Sequence, residues 1–179
     1  MRKVFALLAA LAGLACCPAL HAQQPVPSRA DLLEFLARHR DAMRPLERLF
    51  DELADENLPL EDERGQPLTR RNVEDRRKSL RDLTATIDAL ALAPQDLELA
   101  TRLFLQTETL TDDLFDLSQA AYDDDREELG KRLHDLGTVI GRHRAWTESF
   151  LLSLAADRQA RLVKLEKENA ELRKKLAAH

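Results

Sequence analysis

Residues 129–176 read LGKRLHDLGTVIGRHRAWTESFLLSLAADRQARLVKLEKENAELRKKL, and they decide the fold because they predict one helix of unusual length. The inward-facing side chains recur at steps of three and four residues, which is the spacing of one face of an α-helix. That face consists of Leu129, Leu133, Leu136, Ile140, His143, Thr147, Phe150 and Leu154. Because no proline interrupts the stretch, the helix is expected to run for about 50 residues, or ~75 Å, to Leu176.

Three segments upstream show the same spacing and predict shorter helices. The face of the first is Leu32, Leu36, His39, Met43, Leu46, Phe50 and Leu53. The face of the second is Val73, Leu80, Leu83, Ile87 and Leu90. The face of the third is Leu97, Ala100, Leu103, Thr107, Leu110, Leu114, Leu117 and Ala121. Four amphipathic helices with short connections predict an all-α fold, a four-helix up-down bundle whose long last helix extends as a C-terminal coiled coil.

The composition agrees with this fold class. Aromatic residues make up 4% of the 179 residues, and five glycines and seven prolines are few for a chain of this length. A β-sandwich or β-barrel needs more turn residues and more aromatic or β-branched strand residues than this sequence has.

Local signals predict where the first two helices begin and end. Ser28 followed by Asp31 is typical of a capping box that opens the first helix. Pro45 lies inside that helix and is expected to kink or split it. The helix is expected to end near Asn57, with a loop over residues 58–68 and with Thr69 as the cap of the second helix.

The boundaries of the last two helices are predicted from proline and aspartate. Pro94 fits the first turn of the third helix, which is expected to run to about Tyr122. The run Asp123–Asp125 is expected to end the third helix and to cap the fourth. Further along, Gly130, Gly137 and Gly141 share one stripe of the fourth helix, and two interpretations stay open: close approach of a neighbouring helix, or a tolerated soft spot.

The C-terminal segment carries the most specific pattern in the sequence. Its heptad positions a and d hold Leu162, Leu165, Asn169, Leu172 and Leu176. A leucine seam with one asparagine at position a is typical of parallel two-stranded coiled coils, so the segment resembles a leucine zipper. In a parallel pair, the e and g positions bring together two attractive charge pairs, Arg161 with Glu166 and Glu168 with Arg173.

These patterns predict a helical bundle domain over residues 23–155 and a coiled-coil extension over residues 156–179. The extension is expected to form a homodimer. One alternative is that the seam binds a helix of another envelope protein, and another is that it is a solvated helix with an accidental heptad pattern.

His39 and His143 stand on the inward faces of the first and last helices. These helices are antiparallel in an up-down bundle, and counting 18 residues along each from their shared end places His39 level with residue 142. The two imidazoles are therefore expected to face each other, with Met43 one turn away. Imidazole and thioether groups are ligands of haem iron and of transition metals. One hypothesis is thus a cofactor site, and the alternative is a pair of neutral, hydrogen-bonded core histidines.

Residues 1–22 are typical of a secretory signal peptide. Arg2 and Lys3 precede an apolar run over residues 4–14, and a small residue, Ala22, stands at the predicted cleavage site. The run of about 11 residues is too short to cross a bilayer. We therefore expect an exported protein, periplasmic or secreted, that has no membrane span.

Two cysteines, Cys16 and Cys17, lie within the predicted signal peptide. Each matches a bacterial lipid-attachment site only in part, so an outer-membrane lipoprotein is the less favoured alternative. Cleavage after Ala22 removes both thiols, and a disulfide or a catalytic cysteine is then excluded.

Charge and motifs narrow the function classes. Removal of Arg2 and Lys3 with the signal changes the formal net charge from −5 to −7, which disfavours nucleic-acid binding. The sequence contains no His-Glu-x-x-His zinc motif and no Gly-x-Ser-x-Gly turn. These observations predict a non-enzymatic scaffold, adaptor or binding protein of the bacterial envelope, with a periplasmic chaperone as a variant.

Overall fold

The computed structural model describes residues 26–55 and 70–177, which form four α-helices. The helices are α1 (Arg29–Asp55), α2 (Arg70–Leu92), α3 (Leu97–Asp123) and α4 (Glu127–Ala177). Each helix packs against the next along the chain, and α1 also packs against α4, so the four surround one core. The predicted all-α bundle is confirmed. The predicted signal peptide over residues 1–22 and the predicted loop over residues 58–68 lie outside the described residues.

The helical faces predicted from spacing are the faces that form the core. Every member of the predicted faces of α1 and α2 is buried, as are all but Leu97 on α3, which is partly buried. On α4, burial ends at Leu154, and every side chain from Arg158 to Ala177 is exposed. The last turns of α4 therefore project beyond the bundle as a single helix, which we call the tail (residues 158–177).

The capping box at the start of α1 is present. The Ser28 backbone N–H donates to Asp31 Oδ2 at 3.1 Å, and the Asp31 backbone N–H donates to Ser28 Oγ at 3.2 Å. Two N–H groups that the first turn leaves without helical partners are thereby satisfied.

The structure contradicts one of the two alternatives for Pro45 and the position expected for Pro94. Pro45 does not split α1, which runs as one helix from Arg29 to Asp55. Proline removes one backbone hydrogen bond, while Met43 and Leu46 on either side of it stay buried in the same core. Pro94 does not lie in the first turn of α3; it lies in the turn before it, and Asp96 is the N-cap, accepting from the backbone N–H groups two and three residues on.

The aspartate run ends α3 as predicted but does not cap α4. Asp124 is the C-cap of α3, and Asp125 has a φ of 58°, a left-handed conformation that aspartate tolerates better than most residues. The first helical hydrogen bond of α4 is accepted by the Arg126 carbonyl from the Gly130 N–H at 2.9 Å. Arg126 is therefore the N-cap residue, because the N-cap is the residue whose C=O accepts that bond.

The glycine stripe of α4 lies against α3. A β-carbon added to Gly130 would stand 2.9 Å from the Tyr122 ring, and one added to Gly137 would stand 3.4 Å from Leu114 Cβ. The Gly130 carbonyl also accepts a hydrogen bond from the buried Ser118 hydroxyl at 2.9 Å. Of the two interpretations, the structure supports close approach of a neighbouring helix.

Within the described ranges, no helix is both long enough and apolar enough to cross a lipid bilayer.

Candidate functional site

The centre of the candidate site is a pair of histidines between α1 and α4. Nδ1 of His39 lies 2.6 Å from Nδ1 of His143, which is a hydrogen-bonding distance. The side chain of His39 is fully buried, and that of His143 is half-buried. The predicted juxtaposition of the two imidazoles is confirmed, and ligand binding by them stays a prediction.

A threonine on α3 fixes which nitrogen of His39 carries its proton. Thr107 Oγ1 lies 2.7 Å from the Leu103 carbonyl and 3.3 Å from His39 Nε2. The hydroxyl has one hydrogen, which it donates to the carbonyl, so it accepts from the N–H of His39 Nε2. Nδ1 of His39 is then the unprotonated nitrogen, and the bond between the rings is donated by Nδ1–H of His143.

This chain of bonds leaves His143 Nε2 as the nitrogen with a lone pair to offer. Among the described residues, no donor forms a hydrogen bond to this atom. A histidine that donates one ring N–H to a fixed acceptor and presents the other nitrogen is oriented as metal-ligating histidines are.

Aromatic rings line the pair along α1 and α4. Phe35 stacks on Trp146 with ring centroids 3.7 Å apart and on His39 with centroids 5.5 Å apart. Trp146 also stacks on Phe150. Phe35 thus packs against both histidines and links them to the aromatic side chains of α4.

The surroundings favour neutral histidines. Burial, and then the charge of neighbouring His143, lowers the pKa of His39 from its ordinary 6.5 to about 3. Burial also lowers the pKa of His143, with further lowering by the positive charges of Arg38 and Arg142. Both effects disfavour the charged imidazolium.

The third predicted member, Met43, is buried on α1 four residues after His39. Its thioether is a soft potential ligand on the same helical face as His39. In the part of the chain that the structure describes, no group of three or more His, Cys, Asp or Glu side chains is arranged to hold a metal ion.

The predicted dimerisation residues lie on the tail. The four leucines of the seam are between 54% and 77% exposed: Leu162, Leu165, Leu172 and Leu176. Asn169 lies between them and is also exposed. Among the described residues of this chain, none packs over the leucine seam.

Charged groups flank this seam. Arg161 Nε lies 2.8 Å from Asp157 Oδ2, and Lys164 Nζ lies 3.8 Å from Glu168 Oε1, both within the same helix. These contacts are solvent-exposed and individually weak, so the side chains remain available to a partner.

Sequence reasoning missed two parts of the histidine site. Thr107 was placed on the core face of α3, but its role as the acceptor from His39 depends on a contact between distant helices. Phe35 precedes His39 by four residues and Trp146 follows His143 by three, a spacing that places each ring beside its histidine. That spacing was the available signal for the aromatic lining.

Together, the fold and these features define a helical-bundle protein with a buried histidine pair and a projecting helical tail. No protein-family model matches the chain, and neither a curated protein nor a solved structure matches it.

Proposed function

We propose that the protein is a non-enzymatic, exported scaffold or adaptor of the bacterial envelope that forms a homodimer through its tail. The observation that best supports this proposal is the exposed leucine seam on the part of α4 that extends beyond the bundle. Export is supported by the signal-like residues 1–22.

Two physical arguments favour a second copy on the seam. Exposed leucine side chains gain roughly 25 cal/mol for each Å² of apolar surface removed from water. A helix of about 20 residues without tertiary contacts is also only marginally stable in water. Pairing of two tails buries the leucines and stabilises both helices.

A client-binding chaperone is a variant of this proposal. Two bundles held apart by paired tails leave space in which an unfolded protein can be held. The variant predicts that the protein suppresses aggregation of a heat-denatured client enzyme, measured by light scattering.

The test of the dimer is a measurement of mass by sedimentation equilibrium at micromolar concentration. We expect the mass of two chains for the exported protein and of one chain for the double variant Leu165→Asn/Leu172→Asn. The matched control is Leu152→Asn, because Leu152 is 63% exposed but lies outside the seam. A monomeric parent protein, or a seam variant that remains dimeric, would contradict the proposal.

A second candidate function is the binding of a transition-metal ion or haem between His39 and His143. The observation that favours it is the 2.6 Å separation of the two Nδ1 atoms on different helices. Nitrogen ligands stand about 2.0–2.1 Å from a metal ion such as Zn²⁺, so two ligands on a tetrahedral ion are about 3.4 Å apart. A small outward shift of the rings, together with transfer of the His143 proton from Nδ1 to Nε2, would admit an ion between the two Nδ1 atoms, whereas haem would require a much larger opening.

Calorimetric titration with Zn²⁺ and with Co²⁺, and a visible spectrum after haem addition, test this candidate. Binding that is lost in His143→Gln and retained in His134→Gln would support it, because His134 is exposed and contacts Phe115 instead. No heat of binding and no haem spectrum above that of His143→Gln would remove it.

A further inference from the structure

The direction of the tail leucines limits how two copies can pair. Leu154 is buried and marks the side of α4 that faces the core. Leu172 follows it by 18 residues, which is about five full turns at 3.6 residues per turn. Leu165 follows it by 11 residues, or about three turns. Because α4 is one continuous helix, these two leucines point to the side on which its own bundle lies.

The end of the bundle lies just below the seam. Arg158 Nη2 donates to the Gln95 carbonyl at 2.5 Å, so the turn between α2 and α3 is level with Arg158. Leu162 stands only one turn further along α4. A helix packed on the seam therefore lies directly above the end of α1, α2 and α3.

A parallel partner conflicts with this arrangement. Paired helices lie about 8–10 Å apart, and a parallel partner continues alongside α4 towards its N-terminus. On the seam side, that path enters the space that α1–α3 already fill. An antiparallel partner avoids the conflict, because its own bundle lies beyond the far end of the tail.

We propose that two copies pair through their tails in antiparallel orientation, with Leu165 opposite the partner's Leu176 and Asn169 opposite the partner's Leu172. This inference rests on the self-association proposed above and adds its direction and register. The occupant of the seam is a second copy of this chain, related by a two-fold axis.

Charge complementarity selects the same register. In antiparallel pairs, g positions face g positions and e positions face e positions. This register places Glu168 beside the partner's Lys175 and Glu166 beside the partner's Arg173, and two-fold symmetry repeats both attractions. A shift of the partner by one heptad towards the bundle would place Glu168 opposite Glu168 of the partner subunit, which is a repulsion. The same shift would bring Leu176 of the partner subunit level with Arg158, against the end of the bundle.

The shape of the dimer is the first test. With α4 at 51 residues, antiparallel tails that overlap from Leu162 onwards give a particle about 130 Å long. Parallel tails give one about 80 Å long. Small-angle X-ray scattering of the full chain, with mass measured on the same sample, is expected to show two chains and the longer dimension.

Reversal of single charges is the second test. Lys175→Glu is expected to raise the dimer dissociation constant about tenfold, because it turns two attractions into repulsions. In a parallel pair, Glu168 faces Arg173 of the partner subunit instead, so Lys175→Glu would leave that attraction in place. The matched control is Lys174→Glu, which makes the same charge change at an outward f position.

Arg161→Glu tests the parallel arrangement by the same measurement of the dissociation constant. Arg161 faces Glu166 only in a parallel pair, so its reversal is expected to change the dissociation constant less than twofold. A tenfold loss for Arg161→Glu with no loss for Lys175→Glu, or a dimer about 80 Å long, would overturn the antiparallel arrangement and leave self-association intact. A monomeric parent protein would instead overturn the proposed function itself.

Discussion

At the scale of single residues, burial of His39 changes its protonation on folding. Its pKa falls from 6.5 to about 3, so the folded state binds fewer protons than the unfolded state between these values. The free energy of unfolding therefore decreases as the pH falls from 6.5 towards 3, by up to about 1.4 kcal/mol per pH unit. Urea denaturation at pH 7 and pH 4.5 measures this decrease, and His39→Leu is expected to reduce it.

The control for this prediction is His134→Gln, which removes an exposed imidazole that lies outside the histidine pair. At pH 7, His39→Leu is itself expected to be less stable than the parent, because His143 Nδ1–H loses its acceptor. An unchanged difference between pH 7 and pH 4.5 in His39→Leu would show that His39 is not the group responsible.

Thr107 tests the tautomer of His39. Thr107→Val leaves the buried N–H of His39 Nε2 without an acceptor, which is expected to cost about 1–3 kcal/mol in chemical denaturation. Thr111→Val is the matched control, because its buried hydroxyl bonds only the Thr107 carbonyl of its own helix. Equal losses in the two variants would mean that the bond from His39 to Thr107 contributes nothing.

At the scale of helices, the sequence was most informative where burial repeats over many turns. The face from Leu129 to Leu154 was predictable because its apolar residues recur at nearly every turn, and their burial or partial burial against the other helices is favourable. The continuation of α1 through Pro45 could not be predicted from spacing. It depends on whether burial of Met43 and Leu46 outweighs the loss of one backbone hydrogen bond. The contact of Thr107 with His39 depends on how three helices meet, which spacing within one helix does not determine.

The glycines of α4 give a prediction at this scale. A β-carbon at Gly141 would meet Thr111 Cγ2 at 3.6 Å, an ordinary contact. Gly141→Ala is therefore expected to raise the free energy of unfolding by about 0.5–1 kcal/mol, since alanine favours the helix interior.

Gly137→Leu is expected to lower the free energy of unfolding by about 1–3 kcal/mol, because the larger side chain overpacks the contact with Leu114 and Phe115. Urea denaturation of both variants measures these effects, and a stabilised Gly137→Leu would show that α3 and α4 are not closely packed there.

At the scale of the whole molecule, the buried core and the exposed leucine seam occupy different parts of the chain. The residues of the core end at Leu154, while the exposed leucines of the seam begin at Leu162. Between them, Arg158 is exposed and hydrogen-bonded to the Gln95 carbonyl. The tail therefore contributes surface rather than core, and a change in the tail is expected to affect association without unfolding the bundle.

Removal of residues 161–179 tests this separation. The truncated chain keeps every buried residue of α1–α4 and the contact of Arg158 with Gln95, so its bundle is expected to unfold within about 1 kcal/mol of a monomeric seam variant. The truncated chain is expected to have the mass of one chain at every concentration, and its thermal midpoint is expected not to depend on concentration. The thermal midpoint of the full chain is expected to rise with concentration, because only the folded tails associate. Sedimentation equilibrium and circular dichroism melts over a hundredfold range of concentration measure both properties. A truncated chain that still forms a dimer would move the assembly surface from the tail to the bundle, and one that fails to fold would show that the tail stabilises the bundle.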